Sequence, residues 1–590
     1  MQYEVSFGRL DRMPRAAVGG AKFRLALLGD FSGRANAGKM ETGTALAARK
    51  PVRVDVDNLD DVVAKLNPSF SVPMGDDGAA VAVKIGSLDD FHPDQLAENL
   101  EVFEELLTLR RNLSSKQGFD RAAKAVLSWG GEAPLPPPPR RARGSAVATD
   151  RRLSDFARLT GRPASADVAD ASAEDLVRRL VGPFIQPARD ARQDQLIARV
   201  DEALSAAMRR VLHHPDFQSA EAIWRGVEFL VRRIETGARM EIVLYDISAE
   251  EFAADLASGD ALDQSGLYDL LIEQPALDAH QGPLSAIIGL YGFELAPPHA
   301  DLLGRMAMLA AAAGAPFVAG IGPDALKTPM HEQHPLIREA WTALRALPAA
   351  AYLGLAAPRF LLRMPYGKKS DPIDAFAFEE FTRQGGLSGM LWGHPALIPA
   401  LQLAKTFEKH GKQMKLGSAM AAGDMPYYVY FDTDGEQIAL PCTERLYNEK
   451  QTVAVSNYGV MPLLSLRGRP EVRLGGFGSL AGSPLAGFWA PVTVSFKSSA
   501  PAHSPASQAP AAAEPVPANA PEPVVADAPA EADAAPDLDA LLASLEAPPA
   551  PEAEAEVDLD ALLASLSAEA PPAAADATEP DLDALLASLK

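Results

Sequence analysis

Residues 1–130 carry two hydrophobic periods. Phe23 to Gly29 is apolar except at Arg24 and predicts a mostly buried strand, whereas Val52 to Val56 alternates apolar and charged positions and predicts a half-buried one. Val81 to Ile85 predicts a third strand. Asn58 is placed to cap a short helix carrying Leu59, Val62, Val63 and Leu66. Pro93 opens a longer helix whose Leu96, Leu100, Phe103 and Leu107 recur at helical spacing, so a single helix is expected there. These elements make a small α+β or α/β unit.

A second, longer pattern occupies residues 173–496. It begins with a helical stripe of Leu196, Val200, Leu204, Met208 and Val211 that stops before Pro215, and Ser219 is placed to cap the next helix with Ile223, Val227, Leu230 and Ile234. Strand-like runs at Ile242 to Tyr245, Ala286 to Leu290, Phe317 to Ala319 and Tyr352 to Leu355 then alternate with helices such as Asp301 to Ala313 and Leu336 to Leu347. That alternation predicts an α/β domain with a partly parallel sheet. Met306 to Ile321 is apolar but rich in Ala and Gly and holds Pro316, so it reads as a buried helix followed by a strand, not a membrane span. Tyr427 to Phe431 and Glu436 to Leu440 flank Asp432-Thr433-Asp434-Gly435, a hairpin signal. Phe488 to Phe496 is the last stretch with the composition of an ordered segment.

Composition divides the chain further. Pro134 to Arg141 opens a Pro/Arg/Ala-rich linker over residues 131–172, whose proline run favours extended polyproline geometry. After residue 496 the Ala/Pro/Glu content lacks the apolar surface needed to offset chain ordering, so residues 497–590 are expected to be a disordered acidic tail. Residues 498–590 carry −17 of the chain's net −23, so the acidity belongs to the tail and the remainder is nearly balanced. With no basic block either, a nucleic-acid or anionic-membrane binder held by net charge is excluded. One cysteine, Cys442, rules out an intrachain disulfide and a Cys-rich zinc site. Met1 to Leu10 has no charged-then-apolar leader, and the expectation is a cytoplasmic protein without membrane insertion.

The tail repeats Asp-Leu-Asp-Ala-Leu-Leu-Ala-Ser-Leu three times. The copies place Asp537, Leu538, Leu541, Leu542 and Leu545, then Asp558, Leu559, Leu562, Leu563 and Leu566, then Asp581, Leu582, Leu585, Leu586 and Leu589 at equivalent positions. Acids at a helix N-terminus followed by leucines on one face predict short amphipathic helices, too short to be stable alone, that form on a partner of unknown identity.

Candidate chemistry is sparse. Gly33 to Lys39 follows an apolar strand and fits Gly-x4-Gly-Lys, but Met40 stands where a hydroxyl would hold magnesium. A P-loop nucleotide-binding enzyme is therefore the weakest of three readings. His331 and His334 are spaced i, i+3 and precede Pro335, which does not match the i, i+4 zinc pair, and adjacent His213 and His214 face different sides of a helix. No Gly-x-Ser-x-Gly surrounds Ser388 or Ser479. No catalytic residue, metal or cofactor is expected, and a structural or binding role is favoured.

Two sets of runs resemble a known family. Phe23 to Gly33, Arg49 to Val62, Ser87 to Asp94 and the helix ending Leu109-Arg110-Arg111-Asn112-Leu113 resemble the small contractile sheath subunit of type VI secretion systems. Leu212 to Gly226 (Leu-His-His-Pro-Asp-Phe-Gln-Ser-Ala-Glu-Ala-Ile-Trp-Arg-Gly), Pro283 to Phe293, Tyr352 to Gly367 and Asn457 to Leu463 resemble the large subunit. The resemblance implies a small sheath-like domain at 1–130 fused through the linker to a large sheath-like domain at 173–496. The large subunit's usual C-terminal region has no counterpart after Leu480. It further implies helical self-assembly around an inner tube protein, contact with baseplate components, strand donation between neighbours, and contraction that drives secretion without nucleotide at the protomer. Tyr3, Val5 and Phe7 are the candidate donated strand. Leu176 and Leu180, in the stretch from Ala173 to Val181, are the nearest match to a helix gripped by an AAA+ unfoldase. The second reading is a sheath-derived adaptor or cap whose tail repeats recruit partners.

Overall fold

A computed structural model of the chain describes residues 7–12, 22–73, 80–115, 117–129, 191–278, 282–322, 324–431 and 435–496. Tyr3 and Val5, the linker with Leu176 and Leu180, and the tail with its three repeats lie outside the described residues.

The strands, in chain order, are β1 (Phe23–Gly29), β2 (Val52–Val54), β3 (Ser69–Pro73), β4 (Ala80–Lys84), β5 (Met240–Asp246), β6 (Ala286–Phe293), β7 (Phe317–Ile321), β8 (Leu353–Ala357), β9 (Phe360–Leu361), β10 (Trp392–Gly393), β11 (Ala421–Gly423), β12 (Val429–Phe431), β13 (Gln437–Ala439), β14 (Val460–Ser465) and β15 (Glu471–Leu474). Nine of them form one sheet in the order β11-β15-β14-β8-β7-β6-β1-β5-β2. From β14 through β5 every neighbouring pair is parallel, while β2, β15 and β11 pair antiparallel at the two ends. The partly parallel α/β sheet expected from residues 173–496 is present, and the β12–β13 hairpin is antiparallel as its turn predicts.

The sheet is not assembled from one segment. β5 and β6 are consecutive strands of the longer segment, yet they do not touch; β1, from the first 30 residues, lies between them. All seven residues of β1 pair in register with β5, from Phe23 opposite Met240 to Gly29 opposite Asp246, and Leu25 to Leu28 pair with Ala286 to Gly289 of β6. Both rows of β1 backbone donors and acceptors face a partner strand, as a buried strand requires. All seven residues are buried, which suits a near-continuous apolar run covered on both faces.

Alternation along β1 divides the core into two layers. Phe23, Leu25 and Leu27 join a cluster with the helices α5 (Ala191–Leu212), α6 (Pro215–Val231) and α10 (Leu397–His410). Ala26 and Leu28 face a second cluster with α7 (Ala249–Ala257), α8 (Pro297–Ala313) and α9 (Pro335–Ala346). Each fully buried leucine of β1 stabilises the fold by about 1.5–3 kcal/mol relative to exposure. In β6, Gly289 is needed because a Cβ there would lie 2.7 Å from Cε2 of Phe317 on the neighbouring strand.

Three local expectations are corrected. The helix from Pro93 is two helices, α2 (Pro93–Asn99) and α3 (Glu101–Ser114), broken at Leu100, whose φ −102° and ψ 122° are extended. The apolar stripe survives the break because Leu96, Leu100 and Phe103 all reach the same core. Helix α6 begins at Pro215, with His214 as its cap, and Ser219 lies inside it; proline at the first helical position loses no useful N–H and presets φ. Asn58 precedes α1 (Leu59–Leu66), but its side chain accepts from the Asp55 amide at 2.9 Å instead of capping the helix.

The segment after β15 is tied to the start of β8 and to the first segment. Leu480 and Ala486 amides donate to Leu353 and Ala351 carbonyls, the Val492 amide donates to the Tyr352 hydroxyl, and the Leu10 amide donates to the Phe496 carbonyl.

Because β1 is held on both sides, the covalent link to residues 191–496 is not what keeps it in place. Cutting the chain at a protease site inserted within residues 131–172 should leave two fragments that co-elute on size exclusion at micromolar concentration. Separation of the fragments under native buffer would contradict the shared sheet.

Candidate functional site: the seam between the two segments

Among the described residues, ion pairs across the seam run in one direction. Arg12 with Asp263, Lys22, Arg24 and Arg53 with Glu241, Arg34 and Arg49 with Glu251, and Arg110 with Asp201 each set a cation of the first segment against an acid of the second. The Arg24–Glu241 pair is at 2.5 Å with both side chains buried, and Arg24 also donates to the Gly282 carbonyl. Such one-signed complementarity favours this pairing over self-pairing of either segment.

Glu251 is the hub. It stands third in α7, where it closes a capping box with Ser248, so a local helix signal fixes it beneath the loop after β1. Its carboxylate accepts from Arg34 Nε at 3.1 Å, from Arg49 Nη1 at 2.8 Å and from the Glu41 amide at 3.0 Å. Burial pushes its pKa up, but hydrogen bonds from Arg49, Arg34 and the Ser248 amide outweigh it and hold the group at about 2.

The loop that resembles a P-loop has its donors taken. The Asp30 carboxylate accepts from the Arg34 amide at 2.6 Å and the Ala35 amide at 2.9 Å. Asp246, at the end of β5, accepts from the Phe31 and Ser32 amides at 2.9 and 3.1 Å and from the Ser32 hydroxyl at 2.7 Å. Carboxylates thus fill the positions that phosphate oxygens would need. Gly33, at φ +74°, is required because a Cβ there would lie 2.8 Å from the Ser69 carbonyl.

Below this loop the sequence signatures converge. Trp224 of α6 donates from Nε1 to the Phe31 carbonyl at 3.1 Å. Glu221, also on α6, accepts from Arg225 Nε at 2.6 Å and Arg363 Nε at 2.8 Å, and Arg363 Nη1 reaches Glu380 at 2.7 Å. The Glu380 carboxylate also accepts the Tyr366 amide at 2.8 Å. Burial alone would neutralise these groups, but their mutual attraction keeps Glu221 below and Arg363 well above the ordinary values, so both are charged. From the first segment, the ring of His92 meets Tyr366 edge-on at 5.0 Å and Asp94 accepts from the Asp374 and Ala375 amides at 3.0 and 2.9 Å. Removing one partner of such a buried pair costs about 3–5 kcal/mol, because the other charge is left uncompensated. Nothing in the sequence pointed to Glu380 or Glu251; only the resemblance marked the stretches holding Arg225 and Arg363.

Of the expected partner-binding residues, only Phe7 is described. It is half-buried against Gly304 of α8, and next to it Arg9 pairs with Ala261. Of the histidine pairs, His334 serves a helix end, its Nδ1 accepting from the Leu336 amide at the start of α9; His214 precedes α6 without a side-chain cap bond, and His213, past the end of α5, packs on Gly389 beside Glu380. Among the described residues no helix is long and apolar enough to cross a membrane.

Glu251 links the seam to pH. Its folded pKa lies below the ordinary 4.5, so its contribution is fully present above that value and is lost as pH falls toward about 2. The shift corresponds to on the order of 3 kcal/mol. Glu251→Gln should lower stability by roughly that amount at pH 7 and flatten the loss of stability between pH 4.5 and 2, read from denaturant unfolding at each pH. An unchanged pH slope in the variant would contradict the assignment.

Comparison with known proteins agrees with this geometry. Residues 21–124 match the family model described as type VI secretion system, VipA, VC_A0107 or Hcp2, and residues 194–480 match VipB, EvpB/VC_A0108, tail sheath N-terminal domain. Over 288 residues the chain is 31% identical to type VI secretion system sheath protein TssC1 of Pseudomonas aeruginosa, a region covering 46% of this chain and 58% of that protein. The chain thus spans a little over half the length of that relative. The boundaries of the two family matches fall on either side of the seam, so the strand between β5 and β6 comes from the VipA-type domain and its neighbours from the VipB-type domain. The chain belongs to the type VI secretion sheath proteins, with the small and large sheath-subunit domains fused on one polypeptide.

Proposed function

We propose that the chain is a structural protomer of a type VI secretion contractile sheath, polymerising helically in the cytoplasm around an inner tube, meeting baseplate components at its end, and contracting to drive protein secretion. The observation that carries this reading is the insertion of β1 between β5 and β6, which makes the two sheath domains one mechanical body. A protomer that transmits force needs its domains to move together, and a strand bonded on both sides cannot slide without breaking two ladders at once. Fusion adds a fixed one-to-one ratio and a high effective concentration of one domain for the other.

Assembly uses open backbone. β2 and β11 are the edge strands of the large sheet, and the β3–β4 pair stands apart from it. Short edges of this kind accept a strand from a neighbour, and a contact that does not close on itself yields a filament. Tyr3, Val5 and Phe7 are the candidate donated strand. Contraction is a switch between two packings of such protomers and needs no nucleotide at the protomer, so no enzymatic activity is proposed. Leu176 and Leu180 remain the candidate grip for an unfoldase that recycles contracted sheath.

Negative-stain imaging of the purified full-length chain is expected to show tubules or helical ribbons. Monodisperse single particles across protein concentrations and salt conditions would contradict the protomer reading.

A further inference from the structure

A groove of about 520 Å³ opens between the turn at residues 326–331 and α11 (Glu449–Asn457). Its lining joins the apolar Leu326, Met330, Leu446 and Val455 with Lys327, Arg345 and Arg445, and holds no carboxylate. Asp324, outside the lining, is shared by Lys327 and Arg445, and Glu332 lies 3.3 Å from His331 of the lining, so the three cations of the lining exceed these neighbouring acids by one. Leu446 is 37% exposed, and Val453, on the outer side of α11, is 55% exposed. The Tyr447 hydroxyl, buried at the groove, has no hydrogen-bond partner within the described residues. An apolar trough with a basic rim and an unpaired polar group has the volume of a ligand site and the chemistry of one that takes an acidic, leucine-bearing segment.

We propose that this groove binds the Asp-Leu-Asp-Ala-Leu-Leu-Ala-Ser-Leu repeat of a neighbouring copy of the chain. The two aspartates of each repeat match the basic rim and its four leucines match the trough. Each chain has three repeats against this one groove, so a chain's second and third repeats can be bound there only on other copies. The 40 residues between Phe496 and Asp537 have a contour length of about 130 Å, so chain length does not prevent a repeat from reaching an adjacent molecule. With one groove per chain, on average one repeat per chain is engaged, and the three copies raise the local concentration of repeat at each groove. The inference rests on the protomer reading only for the presence of a second copy nearby.

Residues 498–590 contain a single lysine, Lys590, directly after the third repeat; Lys327 lines the groove, and Lys450 lies outside the lining at the start of α11. The test is amine-to-amine cross-linking of an equal mixture of full-length protein at natural abundance and labelled with nitrogen-15, read by mass spectrometry. Mixed-isotope links from Lys590 to Lys327 or Lys450 are expected, and they should fall at least five-fold in Arg445→Glu and at 0.5 M salt. Links within the folded part, such as Lys405 to Lys409, serve as the internal control and should not change. Absence of Lys590 links to both Lys327 and Lys450, or only single-isotope links, or links unaffected by Arg445→Glu, would overturn the proposal. Imaging decides the polymer separately: groove links without tubules would sink the sheath reading and leave this one standing, and tubules without groove links the reverse.

Discussion

A strand in the interior of a sheet must satisfy its backbone on both sides, and that requirement, met by β1, organises the rest of this molecule. β5 and β6 are separated by the width of one strand, so without β1 the longer segment would expose two rows of unpaired donors and acceptors and two apolar faces. The shorter segment alone would hold an apolar run, Phe23 to Leu28, with nothing to cover it. Neither segment has a complete core until both are present, which is a stronger form of partnership than two finished domains docked by their surfaces.

Electrostatics refine the match. Cations on the first segment and acids on the second give the seam a polarity, and the buried Arg24–Glu241 pair lies where mispairing would strand a charge away from water, while Arg363, Glu221 and Glu380 tie the longer segment to itself beneath it. Such groups add less net stability than an apolar core of equal volume; their effect is to make wrong registers costly. Glu251 extends the same logic to the loop after β1, where Asp30 and Asp246 consume the amides of a sequence that otherwise looks built for phosphate. A loop that resembles a nucleotide cradle is here a rigid turn fixed by acids of the protein itself.

Local elements were legible in the sequence and their placement was not. The apolar run of β1 and the alternation in β2 marked two strands, and the βα alternation of the longer segment marked a parallel sheet. Nothing in the periodicity of Phe23 to Gly29 says that its neighbours lie more than 200 residues away, because strand order is decided by long-range packing. The break at Leu100 was hidden for a similar reason: the apolar spacing is kept across it, so the pattern reads as one helix. The motifs at 212–226 and 352–367 stood out by resemblance, yet the tie between them, Arg363 to Glu221, needed Glu380, which no spacing rule connects to either.

Hydrogen–deuterium exchange of the full-length chain tests the shared sheet most directly. The amides of Phe23 to Gly29 should exchange as slowly as those of β5 and β6, and should be released together with them as denaturant is added, because the three strands form one cooperative unit. Fast exchange of Phe23 to Gly29 while β5 and β6 stay protected would show that the longer segment completes its sheet without the shorter one, and the account of a single fused body would fail.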